Sequence, residues 1–287
     1  MTTWQGKSRG NVLGYQIFVF LLKNFGIKPA YLLLRFVAFY FLFFSAEGVK
    51  AIKGFLKNLY GKESVPSSLV YKSFYSFGQT LIDKVAVMAG FTDKFTYAFE
   101  GEENLVKMAE GGKGGFLVSA HLGNWEIAGF FLKRIKVPIN IVMFDGEDSK
   151  IKEYMSEVAE RNLNVILIKD DFSHVVEMSN ALRNGELICI HGDRFVEGSK
   201  VEFADFLGKK AGFPRGPFQL ISRLKVPYCF VFCMKEGNTH YHMYSTELAV
   251  CETDILGLVQ EYAHNLENMA QKYPEQWFNY YDFWKAA

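Results

Sequence analysis

The hydrophobic pattern changes period near residue 95. Before that point apolar positions run unbroken or recur at helical spacing. Residues 12–22 and 30–44 are two nearly all-apolar stretches, separated by Lys23-Asn24-Phe25-Gly26-Ile27-Lys28-Pro29, a helix stop followed by a proline start. Residues 46–60 place Val49, Ile52, Leu56 and Leu59 on one helical face with lysines between them. Val65-Pro66-Ser67-Ser68 opens another helix that runs to about Ala89, where Gly90 ends it. After residue 100 short apolar runs of strand length appear at 115–120, 139–144, 165–168, 187–190 and 228–234. Helical stretches at 125–135, 149–162 and 173–183 separate the earlier ones. Residues 239–247 alternate like an edge strand, and 253–272 form a closing helix before an aromatic tail at 277–284. Wholly apolar strands alternating with helices predict an α/β fold with a mostly parallel central sheet flanked by helices. The expected division is an N-terminal helical, membrane-associating segment over 1–95 and an α/β core over 96–287.

Length and charge bear on whether the first segment crosses a bilayer. A spanning helix needs ~20 apolar residues, and an arginine at its centre costs several kcal/mol. The first stretch is too short, and the second carries Arg35. A helical hairpin lying in or against the membrane face is therefore expected, with lysines at the headgroups. One spanning helix over 29–45 is the second reading. No small-residue cleavage site follows the first stretch, which disfavours a signal peptide. Lys7, Arg9, Lys23, Lys28 and Arg35 favour the cytoplasmic leaflet. The 28 Phe and 15 Tyr suit either contact with lipid or a ring-rich core. A formal net charge of +1 exerts no global pull on nucleic acid. Cys189, Cys229, Cys233 and Cys251 read as reduced structural residues in a cytosolic setting. Cys229 and Cys233 have three residues between them, not the two of a redox or zinc pair.

Ligands of such sheets bind beyond the carboxyl ends of the strands. The first polar run in that position is Ser119-Ala120-His121-Leu122-Gly123-Asn124-Trp125-Glu126. Gly123 permits a tight turn and close approach of a ligand to the backbone. Asn124 suits a helix N-cap. Glu126 then falls in the first helical turn, where it can fold back on His121, fix its tautomer and stabilise the imidazolium. The remaining ring nitrogen can take a proton from a hydroxyl. A buried histidine beside a capping glutamate is the bland alternative.

His-Leu-Gly-Asn-Trp-Glu over 121–126 resembles the defining motif of the glycerolipid acyltransferase superfamily, in the form used by bacterial late lipid A acyltransferases. Gly192-Asp193-Arg194 is similar to a second block of that branch, the run from Phe206 to Pro217 to a third, and Pro227 to the last. Trp4 to Asn11 resembles the opening of a subgroup of predicted lipid A type acyltransferases. The resemblance implies an acyltransferase that moves a fatty acyl chain from acyl carrier protein or coenzyme A to a hydroxyl of a membrane lipid. It implies His121 as base and no covalent enzyme intermediate. It places the protein at the cytoplasmic face of the bacterial inner membrane. The acyl thioester is a co-substrate, and no cofactor or metal is implied. Backbone N–H groups near Gly123 and the Arg194 guanidinium are candidate oxyanion donors, and Arg194 suits a phosphate equally. Asp193 can position Arg194 or the acceptor. Lys209, Lys210, Arg215 and Gly216 are expected in a loop at a helix start that binds an anion. The acidic run Asp145-Gly146-Glu147-Asp148 stands where related lipid A enzymes often carry an arginine, which points toward a simpler acceptor.

Two other readings compete. A non-catalytic lipid-binding or transfer protein explains the aromatics but not the 121–126 run. A metal-dependent phosphoesterase needs several His and Asp ligands in an order this chain lacks. No Gly-x-Ser-x-Gly elbow or phosphate-cradling Gly-x-x-x-x-Gly-Lys occurs.

Overall fold

A computed structural model describes residues 12–131, 135–144, 164–169, 171, 173–196, 198–252 and 254–286. The basic opening run, the acidic run at 145–148 and the helix expected over 149–162 lie outside them.

Four helices lead: α1 (Val12–Phe25), α2 (Ile27–Phe44), α3 (Ala46–Tyr60) and α4 (Ser67–Met88). The core follows as β1 (Thr96–Glu100), α5 (Glu102–Glu110), β2 (Gly115–Ser119), α6 (Trp125–Phe131), β3 (Ile139–Phe144) and β4 (Asn164–Ile168). Next come α7 (Ser173–Arg183), β5 (Leu187–His191), β6 (Val201–Phe206), β7 (Lys209–Pro214) and α8 (Arg215–Leu224). The chain finishes with β8 (Pro227–Lys235), β9 (His240–Ser245), β10 (Ala249–Val250) and α9 (Ile255–Lys272). The main sheet runs β1-β9-β8-β2-β5-β3-β4, with β10 beside β8. All pairs are parallel except β8 with β9 and with β10. The mostly parallel sheet with flanking helices is the architecture the pattern predicted.

β9 is not the edge strand its alternation suggested. β1 pairs with it in parallel and takes the edge. The third sequence block is not a loop either. It supplies the end of β6, the turn and β7 of an antiparallel hairpin, turned by Leu207 and Gly208 with φ of 51° and 73°, and then opens α8 at the expected helix start. Two consecutive positive φ angles match the twist of a tight hairpin.

Both sheet faces are covered, so the strands read as apolar throughout. Leu117, Cys229, Cys233 and Tyr241 pack toward α1, α2 and α4. Phe116, Val118, Ile188 and Phe230 pack toward α3, α7, α8, α9 and the hairpin. All four cysteines are unbridged.

A buried polar knot joins the N-terminal helices to the sheet. Lys235 of β8 reaches Asp83 of α4 at 2.5 Å. The Tyr31 hydroxyl from α2 and the Tyr241 hydroxyl from β9 donate to the same carboxylate. Burial pushes the Asp83 pKa up and that of Lys235 down, against the charge each offers the other.

Candidate active site

β2 and β5 lie side by side in parallel, with Ser119 opposite His191. Their ends are tied together: the Gly192 N–H donates to the Ser119 carbonyl at 2.9 Å, and the Tyr262 hydroxyl donates to the same oxygen at 2.8 Å. Two residues beyond each strand end, His121 and Asp193 meet. Asp193 Oδ1 lies 2.8 Å from His121 Nδ1, and Oδ2 accepts the His121 backbone N–H at 3.0 Å. Trp277 Nε1–H donates to Oδ2 at 3.3 Å.

Asp193 is only 1% exposed. Burial alone would raise its pKa, but the charge and hydrogen bond of His121, with the Arg194 guanidinium, hold it below the usual carboxylate range. The His121 pKa is lowered, chiefly by burial and then by the charge of Arg194, against the pull of Asp193 and Glu126. A neutral imidazole beside an ionised carboxylate keeps its proton on Nδ1. Nε2 then carries the basic lone pair on the opposite side of the ring, the orientation a general base needs.

Glu126, expected to orient the imidazole, pairs with Lys84 of α4 at 2.8 Å. The carboxylate hydrogen-bonded to Nδ1 is that of Asp193. The cause lies in the topology: α6 carries Glu126 against α4, whereas β5 delivers Asp193 directly alongside β2. Glu126 still acts on His121 through space, raising its proton affinity.

Gly123 adopts φ +72°, and a Cβ there would stand 2.1 Å from the Cys233 carbonyl oxygen. The close approach is therefore to β8 rather than to a ligand. The Gly123 N–H donates to the Gln276 carbonyl at 2.9 Å, and that of Asn124 to Cys233 at 2.7 Å. The oxyanion donors expected around Gly123 are thus engaged. Asn124 is buried, with Nδ2 on the Thr80 carbonyl at 3.1 Å and the Tyr241 hydroxyl at 3.2 Å. It braces the loop against α4 and β9 instead of facing a ligand.

Arg194 donates to the Phe278 carbonyl, close enough to His121 to influence its charge. The basic residues of the third block do not converge. Lys209 reaches Asn58 of α3 at 2.8 Å, Lys210 pairs with Asp205 at 3.1 Å, and Arg215 with Glu202 at 2.6 Å. Lys209 and Arg215 stand at opposite ends of β7, about 20 Å apart at ~3.3 Å per extended residue. Gly216, in the first turn of α8, has open space beside it.

The C-terminal tail supplies a part that the motifs did not reveal. Residues 276–278 run antiparallel to the 121–123 loop: Trp277 bridges Leu122, and the Phe278 N–H donates to the His121 carbonyl at 2.9 Å. Aromatic density was the one sequence signal in this tail.

A strand-end histidine hydrogen-bonded to a buried carboxylate, at the carboxyl edge of a largely parallel α/β sheet, is an arrangement chemically suited to moving a proton. The sequence model described as bacterial lipid A biosynthesis acyltransferase matches residues 9–286. The chain belongs to this family. It is similar to a phosphatidylinositol mannoside acyltransferase of Mycolicibacterium smegmatis, 24% identical over 186 residues, covering 64% of this chain and 61% of the relative. A phosphatidylinositol mannoside acyltransferase of Mycobacterium tuberculosis is 22% identical over 188 residues, covering 65% and 59%. The chain thus spans about three-fifths of the length of the curated relatives it matches.

Proposed function

We propose that this protein transfers a fatty acyl chain from an acyl thioester, carried by acyl carrier protein or coenzyme A, to a hydroxyl of a bacterial membrane lipid. The acceptor is of lipid A type or simpler. The observation that carries this reading is the His121–Asp193 pair at 2.8 Å in a chain of this family. His121 Nε2 removes the hydroxyl proton as the oxygen attacks the thioester carbonyl, and Asp193 stabilises the imidazolium that forms. The proton leaves with the thiolate. Arg194 adds positive charge beside the developing oxyanion or a phosphate of the acceptor. Lipid mass spectrometry of cells with and without the active gene tests the reading. A lipid species short of one acyl chain in the cells without it is the expected result; identical lipid profiles would sink it.

The membrane is met through α1 and α2. One face of α2 (Ala30, Tyr31, Leu34 and Ala38) is buried against the protein, and a Cβ on Gly78 of α4 would strike Leu34. On the other face Leu32, Phe36, Phe39, Tyr40, Phe43 and Phe44 are each 55–73% exposed. Leu13, Ile17, Phe20 and Phe25 of α1 extend that surface. The length and hydropathy of α2 would allow it to span a membrane, but a helix seated by one face on α4, with Arg35 near its middle, suits a one-leaflet position better. The hairpin rests in the cytoplasmic leaflet of the inner membrane. Replacing Phe36, Phe39 and Phe43 together with Ser is expected to weaken binding to anionic vesicles about 10³-fold or more, since each buried Phe contributes ~1.5–3 kcal/mol. Thermal unfolding should not change, because these rings touch solvent. Undiminished co-sedimentation would contradict this seating.

A further inference from the structure

His191 has no part in the chemistry described so far. It ends β5 on the same sheet face as Cys189, and its register partner Ser119 shares a face with Leu117. Leu117, Ser119 and Cys189, with Trp125 and Ala128 of α6, line an apolar recess. The recess has an interior volume of about 40 Å³, room for one or two waters, so a long chain enters only as its walls part. His191 lies two positions past Cys189, and His121 two positions past Ser119, both beyond the lining toward the carboxyl ends of β5 and β2. The His191 ring centre is 4.3 Å from that of His121 and 4.2 Å from that of Trp125.

Nε2 of His191 is enclosed and meets no hydrogen-bond partner among the described residues. Leaving a buried polar atom in that condition costs ~1–3 kcal/mol, and such atoms call for a specific cause. A ligand that arrives with an acceptor oxygen supplies one. Burial, then the charge of His121, push the His191 pKa well below that of an ordinary histidine, with Arg194 adding to the effect and Asp193 opposing it. The ring therefore stays neutral while His121 gains its proton.

We propose that His191 is a further catalytic residue: its Nε2–H donates to the carbonyl oxygen of the acyl thioester and holds the negative charge that develops there. This rests on the acyl-transfer reading. The acceptor oxygen bonds to the carbonyl carbon, its proton passes to His121, and the carbonyl π pair moves onto the oxygen facing His191. Collapse restores the carbonyl and breaks the carbon–sulfur bond, and the departing thiolate takes the proton from His121. His191 keeps its own proton throughout. The placement suits the task, with the acyl tail directed into the recess, the carbonyl at its mouth and the hydroxyl on the His121 side. The Gly123 and Asn124 N–H groups already serve protein carbonyls, so a side-chain donor fills the place they do not.

The test uses the full chain with myristoyl-coenzyme A, carbon-13 labelled at the carbonyl, and membranes from cells lacking the gene as acceptor. His191→Leu keeps bulk and removes the donor; His191→Gln restores a neutral donor. The expected loss in kcat for H191L is about 10²–10³-fold, with little change in KM and no loss of thermal stability, and H191Q recovers most of the rate. Infrared spectra of the bound thioester should show a carbonyl stretch at higher frequency in H191L than in the wild type, partly restored in H191Q. Full activity in H191L, or an activity loss with no shift in the carbonyl stretch, overturns the assignment. A wild-type chain that binds the thioester with a lowered carbonyl frequency yet transfers nothing leaves His191 as the donor and overturns the acyl-transfer reading instead.

Discussion

Exchanging Asp193 for Asn is expected to lower acyl transfer about 10⁴-fold, close to the effect of His121→Ala, with the fold retained. On the proposed mechanism the ionised carboxylate does two things at Nδ1: it keeps the proton there, and it stabilises the imidazolium of the transition state. An amide supplies no charge, and by presenting its NH₂ group it drives the proton to Nε2, where the base must be vacant. The corresponding exchange in serine-protease triads has this magnitude. Transfer rates of the purified variants measure it, and an Asn variant within tenfold of wild type would refute the role. The pH profile carries a second signature. The His121 pKa already lies below its ordinary value, so the wild-type rate falls only as the medium becomes more acid than an unperturbed histidine would require. Removing the Asp193 charge lowers that pKa further and moves the acid limb to lower pH. Glu126→Gln shifts the limb in the same direction by less, because its through-space pull is the weaker. Both lowered pKa values make the fold acid-sensitive. Unfolded chains protonate first, at His121 below ~6.5 and at Asp193 below ~3.9, so stability drains away as pH falls through those ranges.

Lys235→Met is expected to cost about 3–5 kcal/mol of stability. The Lys235 and Asp83 side chains are 4% and 0% exposed. Removing the ammonium leaves a carboxylate with hydroxyl donors but no opposite charge, in a place water does not reach. At ~2–4 °C per kcal/mol for a chain of this size class, the melting temperature should fall by about 6–20 °C. The double variant Lys235→Met, Asp83→Asn should recover much of the loss, since it leaves no buried charge. A drop of less than about 3 °C for the single variant would mean that the pair is held in its neutral form. Tyr31 and Tyr241 belong to the same knot, and Tyr241 supports Asn124. Loosening therefore spreads in two directions, toward the α1–α2 hairpin and toward the His121 loop.

Local periodicity made much of this fold readable. The bounds of α3, β3 and α7 were legible because each is a clean helical or strand-length apolar run. β1 escaped notice because Tyr97 and Phe99 are partly exposed among polar neighbours. The β6–β7 hairpin escaped because Glu202 and Asp205 break its apolar pattern. At the site, His121 was marked by its position at a strand end. That Asp193 would be its hydrogen-bonded partner depended on β5 lying next to β2, although β3 and β4 come between them in the sequence. Strand order is set by crossovers, which local pattern does not record. The reach of Trp277 to Asp193 is more remote still, joining the tail to the centre of the sheet.

That tail has a consequence for how the protein comes into being. Chains are synthesised from the N-terminus at ~5–20 residues per second, so α1 and α2 emerge well before the strap of residues 276–278 that closes on the His121 loop. The exposed apolar side chains of these helices are therefore available while the His121 loop is still unfinished. On the seating proposed above, attachment to the bilayer precedes competence in the growing polypeptide, and the strap completes the His121 centre on a chain already moored.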